Sequence, residues 1–217
     1  MFPERLSEGY RAFLDGRFSK ERSRYAMLGA GQQPEILIIG CVDSRVSPEV
    51  IFDAAPGELL VVRNVANIVP VYQPDHATQH GTSAALEFAV QALQVRHIVV
   101  LGHAGCGGVR FFADGREPLS QGNFISQWMS QIAPAAEALG PHARYDAEAY
   151  RKRLEFASVE LSLQNLMTFP WVESKVKQGK LELHGAYFGI AAGRLLVRDP
   201  NSGRFEPVAG DPLATMR

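Results

Sequence analysis

ILIIGCVDSR, at residues 36–45, is the stretch that decides the fold of this chain. It begins as a short apolar run rich in β-branched residues, preceded by Gly-Gln-Gln-Pro and followed by a polar turn. Such a run is typical of a strand that is buried on both faces. A thiol, a carboxylate and a guanidinium follow directly, in Cys41, Asp43 and Arg45. Because Cys41 and Asp43 are two residues apart, an extended backbone would direct both side chains the same way.

A second stretch, HIVVLGHAGCGG at residues 97–108, repeats this arrangement. An apolar strand runs into His103 and Cys106, which lie on a glycine-rich turn. These glycines could instead cradle a phosphate at a helix N-terminus, but no Lys-Ser/Thr pair follows as a P-loop requires. We therefore expect the turn, including Gly107, to let the backbone approach a metal ion and a substrate.

The order of the predicted elements indicates the fold class. Strands at 36–40, 58–64 and 97–102 alternate with helices at 48–54 and 82–95, which predicts an α/β fold with a mainly parallel sheet flanked by helices. The later segments are predicted as helices at 109–113, 123–138, 146–168 and 171–180, then strands at 181–187 and 195–198. The last two strands suggest a hairpin, so we expect a late antiparallel edge strand.

The first 30 residues are predicted to form a helical arm. Their apolar residues, which include Leu6, Tyr10 and Phe13, form a helix-like stripe among charged ones. Such an arm packs on its own domain or on a partner subunit, and we expect a role in dimerisation. The length of 217 residues fits a single domain spanning residues 1–217.

Composition limits the partners and the compartment. A formal net charge of −1 and a pI near 6.6 give no basic footprint for nucleic acid or a membrane surface, so we expect a small-molecule partner. The N-terminus lacks an apolar signal core, and no apolar run approaches the roughly 20 residues of a membrane span. We therefore expect a cytoplasmic protein.

The two ligand-bearing turns predict a metal site. Both follow the carboxyl ends of strands, so Cys41, Asp43, His103 and Cys106 converge if the first and third strands are neighbours. Two thiolates and an imidazole suit Zn²⁺ in tetrahedral coordination. Asp43 could be the fourth ligand, or Arg45 could hold its carboxylate off the metal. A disulfide between the two cysteines is the less favoured alternative in a reducing compartment.

Three segments together resemble the β-class carbonic anhydrases: CVDSR at 41–45, RNVAN at 63–67 and HAGCGG at 103–108. The resemblance implies that Cys41, His103 and Cys106 bind zinc, and that Asp43 and Arg45 form a dyad that orients the attacking oxygen. It also implies reversible hydration of CO2 to bicarbonate and a proton. The implied assembly is an obligate homodimer, often assembled further, with the active site at the subunit interface.

Within that family the chain is more similar to the plant-type branch. Gln32 matches a glutamine that hydrogen-bonds substrate across the dimer interface, and Leu60 and Val65 match an apolar CO2 pocket. Phe88 replaces that branch's tyrosine, so a hydroxyl contact is missing. The other branch, regulated by bicarbonate at a separate site, is matched by one residue in three: Arg63 agrees, whereas Ile38 and Phe188 do not. We therefore expect no bicarbonate switch.

The residues leave other functions open. A related zinc hydrolase of carbonyl sulfide or carbon disulfide would use the same motifs. A non-enzymatic zinc scaffold, closed by both cysteines, the histidine and the aspartate, is the second alternative. For an enzyme, we expect activity to rise towards alkaline pH, because two thiolates offset the charge of Zn²⁺ and make activated water a weaker acid. His76 or His80 could shuttle protons, and the spacing selects neither.

Overall fold

A computed structural model describes residues 1–74 and 80–211 and folds them into a six-stranded sheet with helices on its faces. The strands are β1 (Ile36–Cys41), β2 (Leu59–Asn64), β3 (His97–His103), β4 (Glu182–Gly189), β5 (Arg194–Arg198) and β6 (Phe205–Pro207). The α-helices are α1 (Glu4–Phe13), α2 (Arg22–Leu28), α3 (Pro48–Ile51), α4 (Gly81–Glu87), α5 (Gly107–Ala113), α6 (Phe124–Met129), α7 (Ala133–Leu139), α8 (Ala147–Leu166) and α9 (Pro170–Lys177).

The strand order is β2-β1-β3-β4-β5-β6. β1 pairs in parallel with both β2 and β3, and β3 pairs in parallel with β4, whereas β5 and β6 add antiparallel pairs. The predicted, mainly parallel α/β sheet is therefore confirmed, as is the adjacency of the first and third strands. β2 lies on one side of β1, and the next strand in the chain, β3, lies on the other. Ligand sites form at the point where the strand order reverses in this way.

The burial of β1 follows from its central position. Leu37 and Ile39 pack into one apolar cluster, and Ile38 belongs to a second cluster with Leu101 and Ala186. Because alternate residues of a strand point to opposite faces, an uninterrupted apolar run fills both layers. This packing holds the carboxyl end of β1 beside that of β3.

Three local features differ from the sequence prediction. β6 was not predicted, because three residues ending in Pro207 carry no alternating pattern. It, rather than β5, is the antiparallel edge strand. The helix expected at 123–138 is divided into α6, a 3₁₀ turn (Ser130–Ile132) and α7, since Pro134 restarts the helix at its first turn. The helix expected at 82–95 continues beyond α4 as a π-helical turn, Phe88–Ala92.

The N-terminal arm consists of α1, a π-helical turn (Leu14–Phe18) and α2. No residue of these three elements, all of which the structure describes, is buried. The Arg24 side chain attaches α2 to the rest of the chain by donating to the Pro56 carbonyl at 3.1 Å and to Glu58 Oε1 at 3.0 Å. Within the described ranges, no helix is long and apolar enough to cross a membrane.

Candidate metal centre

The carboxyl ends of β1 and β3 bring three metal-binding side chains together. The ligand atoms of Cys41, His103 and Cys106 all lie within 4.8 Å of one another. All three residues are buried, and the most exposed of them, Cys41, is 4% exposed. Both cysteines are free thiols, so the disulfide alternative does not apply. The register that pairs Gly40 with Leu101 places the residues after both strands at one edge of the sheet.

The His103 ring is oriented for metal binding through Nε2. Its Nδ1 lies 3.1 Å from the Ala104 carbonyl oxygen, to which it can donate its proton. Nε2 is buried and has no hydrogen-bond partner among the described residues. A histidine ligand commonly donates one ring N–H to a carbonyl while the other nitrogen binds the metal. An unpartnered, buried Nε2 beside two sulfurs therefore fits a ligand.

A hydrogen bond between the two cysteine side chains shifts the pKa of both thiols. A hydrogen bond from the Cys106 thiol lowers the pKa of Cys41 to about 4, against the opposing effect of burial. The same hydrogen bond raises the pKa of Cys106, and burial adds to it. Backbone N–H groups of Asp43 and Ala66 also donate to Cys41. Ala66 has a φ of 64° in the left-handed region, so backbone strain is stored beside this thiolate.

Asp43 lies beside this group but is engaged by Arg45. The guanidinium donates from Nε to Asp43 Oδ1 at 2.9 Å and from Nη2 to Oδ2 at 2.7 Å, a bidentate pair. The Arg45 backbone N–H donates to Oδ1 at 3.0 Å. The Arg45 hydrogen bond is the main reason why the pKa of Asp43 falls far below its ordinary value. Of the two predicted roles for Asp43, the structure has the one that leaves the fourth ligand position open.

Arg63 supports this arrangement from the neighbouring strand. Its Nε donates to the Cys41 carbonyl at 2.8 Å, and its Nη2 donates to the Asp43 carbonyl at 2.6 Å. The side chain therefore holds the backbone that carries a sulfur ligand and the carboxylate. The sequence analysis included Arg63 in the RNVAN segment and matched it to a residue of the other branch, but gave it no role at this site. Its position on the strand next to β1 was the available signal for this role.

Glu155, on α8, contacts the site although the sequence analysis did not select it. It is 5% exposed. Its Oε1 accepts the Cys106 backbone N–H at 2.9 Å, and its Oε2 accepts the Tyr187 hydroxyl at 2.6 Å. Burial, with the Glu155 hydrogen bond, raises the pKa of Tyr187, so the hydroxyl remains a donor. No local motif marks Glu155, because its burial and its two partners follow from how α8 packs against the turn after β3 and against β4.

The predicted substrate residues fall into two groups. Val65 packs in the apolar cluster that includes Cys41 and Cys106, so it lies beside the proposed ligands. Leu60 pairs with Leu37, four residues before the end of β2 and thus about 13 Å along the strand. Gln32 is exposed, and Phe88 is 50% exposed. This single chain does not bring Leu60, Gln32 or Phe88 to the cysteines.

The glycine-rich turn distinguishes Gly107 from its neighbour. Apart from its chain neighbours and its own helix backbone, no described residue would have an atom within 4 Å of a Cβ built on Gly107. A Cβ on Gly108 would lie 2.6 Å from Val65 Cγ1 and 3.1 Å from the Met129 sulfur. Gly105 has a φ of 66°, which favours glycine. Glycine is therefore required at Gly108 because a side chain would not fit, and favoured at Gly105 because of the positive φ. The structure gives no such reason for glycine at Gly107.

A cavity of about 680 Å³ lies beside β2 and is lined by Val42, Val65, His80 and Trp128, among others. Its wall therefore contains one predicted pocket residue and one of the two histidines considered as proton shuttles. The other histidine, His76, lies outside the described residues. The role of His80 stays a prediction.

The donor set fits a zinc ion. Two sulfurs and one imidazole nitrogen within 4.8 Å, with a fourth position left open by the Asp43–Arg45 pair, match a catalytic rather than a closed structural zinc site. Backbone N–H groups that stabilise the thiolates, together with the oriented histidine, supply the supporting contacts that such sites need. The arrangement can therefore hold a metal ion that activates water.

Comparisons with known proteins agree with this geometry. The sequence profile described as "Carbonic anhydrase" matches residues 36–195. β carbonic anhydrase 5, chloroplastic, of Arabidopsis thaliana is 34% identical over 188 residues, which cover 85% of this chain and 61% of that protein. This chain therefore spans less than two thirds of that relative's length.

Solved structures show the same fold. The structure of the β-carbonic anhydrase CcaA superimposes with a TM-score of 0.88 at 32% identity, covering 94% of this chain and 91% of that one. Tetrameric β-carbonic anhydrases of the ascomycete Sordaria macrospora give a TM-score of 0.76 at 30% identity, covering 88% and 94%. The chain therefore belongs to the carbonic anhydrase family, and within it to the β class.

Proposed function

We propose that this protein catalyses the reversible hydration of CO2 to bicarbonate and a proton, with Cys41, His103 and Cys106 holding one zinc ion per chain. The observation that carries the proposal is the buried group of two cysteines and a histidine beside a carboxylate that Arg45 keeps off the metal position. When bound, zinc would supply a Lewis acid that lowers the pKa of water.

Asp43 is the proposed orienting residue. Its Oδ1 already accepts two hydrogen bonds from Arg45, whereas its Oδ2 accepts one, so Oδ2 has acceptor capacity left for the attacking water. Because Arg45 lowers the pKa of Asp43, the carboxylate stays ionised at neutral and alkaline pH and remains an acceptor. Accepting that O–H would direct an oxygen lone pair towards CO2.

A second subunit would complete the substrate pocket. Gln32 and Phe88 are exposed in the single chain, and Leu60 lies away from the cysteines. We propose that these residues act in a homodimer, where they reach the site of the partner beside Val65. The S. macrospora enzymes, which share the fold, are tetrameric. Gly107 would let the substrate approach, because the position its Cβ would occupy is free of side chains from the described residues within 4 Å.

Both cysteines must stay reduced to bind a metal ion, and this requirement supports a reducing compartment. We propose the cytoplasm. The A. thaliana relative, by contrast, is named as chloroplastic. Fractionation of the native host, followed by detection of this protein in the soluble or the organelle fraction, would decide the compartment.

The test is stopped-flow CO2 hydration between pH 6.5 and 9, on zinc-quantified wild type and on Asp43→Asn. We expect fast turnover that rises with pH in the wild type. In the variant we expect the rate to fall by at least about 100-fold, with zinc retained. Since the lowered pKa keeps Asp43 ionised over this range, it is not the group that titrates. The variant should therefore keep the wild-type inflection at reduced amplitude.

Asp114→Asn is the matched control, because Asp114 is also an aspartate paired with an arginine, Arg151, but lies at the end of α5. It should keep wild-type turnover. Zinc-loaded wild type that stays near the uncatalysed rate would contradict the proposal. Turnover of carbonyl sulfide or carbon disulfide would then support the related hydrolase, and its absence the zinc scaffold.

A further inference from the structure

A second group of metal-binding side chains lies at the other end of the sheet from Cys41 and Cys106. It consists of His97, the first residue of β3, with Glu182 and His184 at the start of β4. One ligand atom from each of these three side chains lies within 4.8 Å of the other two. In the parts of the chain that the structure describes, only the Cys41 group shares this property.

The strand register positions this second group. His97 pairs directly with Glu182 across the parallel β3–β4 pair. His184 follows Glu182 by two residues, so both side chains project from the same face of β4. All three side chains are thus carried by paired strands rather than by a loop. Binding an ion would therefore cost little conformational entropy of the backbone.

The distances suit a metal ion. His97 Nδ1 lies 3.2 Å from His184 Nε2, and each of these nitrogens lies 3.7 Å from Glu182 Oε2. Neighbouring ligand atoms on a tetrahedral zinc ion are about 3.3 Å apart, given bonds of about 2.0–2.1 Å. Movements of a few tenths of an ångström would therefore place all three atoms around one ion.

The alternative is a hydrogen bond between the two rings, with one N–H donating to the other nitrogen. That bond needs one proton between the nitrogens, and a metal ion would replace it. The His97 and His184 side chains are half-buried, whereas Glu182 is exposed, so an ion could enter from solvent and keep water as a further ligand.

We propose that His97, Glu182 and His184 form a second binding site for a divalent transition metal ion of the Zn²⁺ class. Two imidazoles and one carboxylate are borderline ligands that suit zinc better than magnesium or calcium. The ion would join the amino ends of β3 and β4, roughly 20 Å along β3 from His103. It binds the folded sheet and not the separated strands, so its binding stabilises the fold.

Isothermal titration of zinc chloride into protein that already carries one zinc per chain tests this site. Wild type should bind one further equivalent, and its melting temperature should rise with added zinc. His97→Gln and Glu182→Gln should both lose that equivalent. The matched control is His142→Gln, since His142 is an exposed histidine outside the group, and it should bind as wild type does.

Circular dichroism would show whether each variant retains the fold. Glu182→Gln should retain it, because the Glu182 side chain is exposed and contributes no buried packing. Absence of a second equivalent in the wild type would overturn the proposal. A second equivalent that persists in His97→Gln would also overturn it, because the zinc would then bind elsewhere. The readout is metal binding, so it is independent of CO2 turnover.

Discussion

At the residue scale, the side chains of the candidate site form two groups: those that the two short motifs predict, and those that support them. Cys41, Asp43, Arg45, His103 and Cys106 follow strands in two short motifs. Arg63 and Glu155 come from other elements and contact backbone groups of the first set. A site of this kind depends on both, because the supporting contacts fix where the proposed ligands point.

Glu155 provides the prediction at this scale. Glu155→Ala would leave the buried Cys106 N–H and the Tyr187 hydroxyl without their acceptor, which we expect to lower the free energy of unfolding by about 2–5 kcal/mol. Glu155→Gln should cost less, because an amide oxygen can accept from Cys106 and its NH2 can donate to Tyr187. Urea denaturation of zinc-loaded protein measures both changes.

Glu148→Ala is the control for this series, since Glu148 lies in the exposed first turn of the same helix and its loss should cost less than about 1 kcal/mol. Tyr187→Phe separates the two hydrogen bonds, because it retains the one to Cys106. If Glu155→Ala were as stable as the control, the carboxylate would not hold the loop, and our reading of this contact would be wrong.

At the element scale, the start of α5 packs against the turn that follows β2. Gly108 lies against Val65, Met129 and Ala66, with no room for a Cβ atom. The turn itself is held by Asn64, which accepts the Ile68 N–H and donates to the Ile68 carbonyl, both at 2.8 Å. These contacts join the turn after β2 to the start of α5, which follows β3. β2 and β3 lie on opposite sides of β1.

Gly108→Ala should therefore destabilise the protein by about 1–3 kcal/mol through overpacking. Gly107→Ala is its neighbour and control, since a Cβ there meets open space and alanine favours a helix over glycine by about 0.5–1 kcal/mol. Thermal denaturation of the two variants gives the comparison. Equal stabilities would mean that α5 shifts freely and that the close contact has no energetic weight.

Strand order illustrates what an element-level pattern can and cannot predict. The apolar runs and their spacing predicted β1, β2 and β3 and the parallel sheet, because burial on both faces imposes a recognisable composition. The 3₁₀ turn (Val65–Asn67) with left-handed Ala66 and Asn67 was not predicted, since alanine rarely adopts a positive φ and one asparagine, which adopts it more often, does not define a turn. That backbone is maintained by contacts from Trp128 and the Asn64 side chain.

At the scale of the whole molecule, the N-terminal arm exposes apolar surface. Leu6 is 55% exposed and Tyr10 60% exposed, on a helix with no buried residue. Four aromatic rings of the arm pack on one another, Tyr10, Phe13, Phe18 and Tyr25. An ordered apolar stripe facing solvent is typical of a surface that binds a second copy.

Removal of residues 1–21 tests this role. Because Arg24 joins α2 to the body of the chain, the sheet should still fold, while the proposed dimer should dissociate. Light scattering coupled to size exclusion should then give the monomer mass, and CO2 hydration should fall with it. Arg17→Gln, in an exposed ion pair with Glu21, is the control and should keep the mass of the full chain.

A truncated chain with the same mass as the full-length protein would contradict the predicted use of the arm. A monomer with undiminished activity would contradict the proposal that Gln32, Leu60 and Phe88 act across the interface. These two outcomes separate assembly from catalysis, because mass and turnover are measured independently.

The sequence by itself predicted the residues of the candidate metal centre and determined which strands carry them. Strand burial and ligand chemistry are both local properties of the segments ILIIGCVDSR and HIVVLGHAGCGG. Only the tertiary structure decided that Asp43 is held by Arg45, that Arg63 and Glu155 support the site, and that His97 meets Glu182 and His184. Asp43 and Arg45 are two residues apart, and the backbone of their turn sets the geometry of the pair. The other contacts join residues far apart in the chain, and their distances follow from strand register and helix packing, which no single segment encodes.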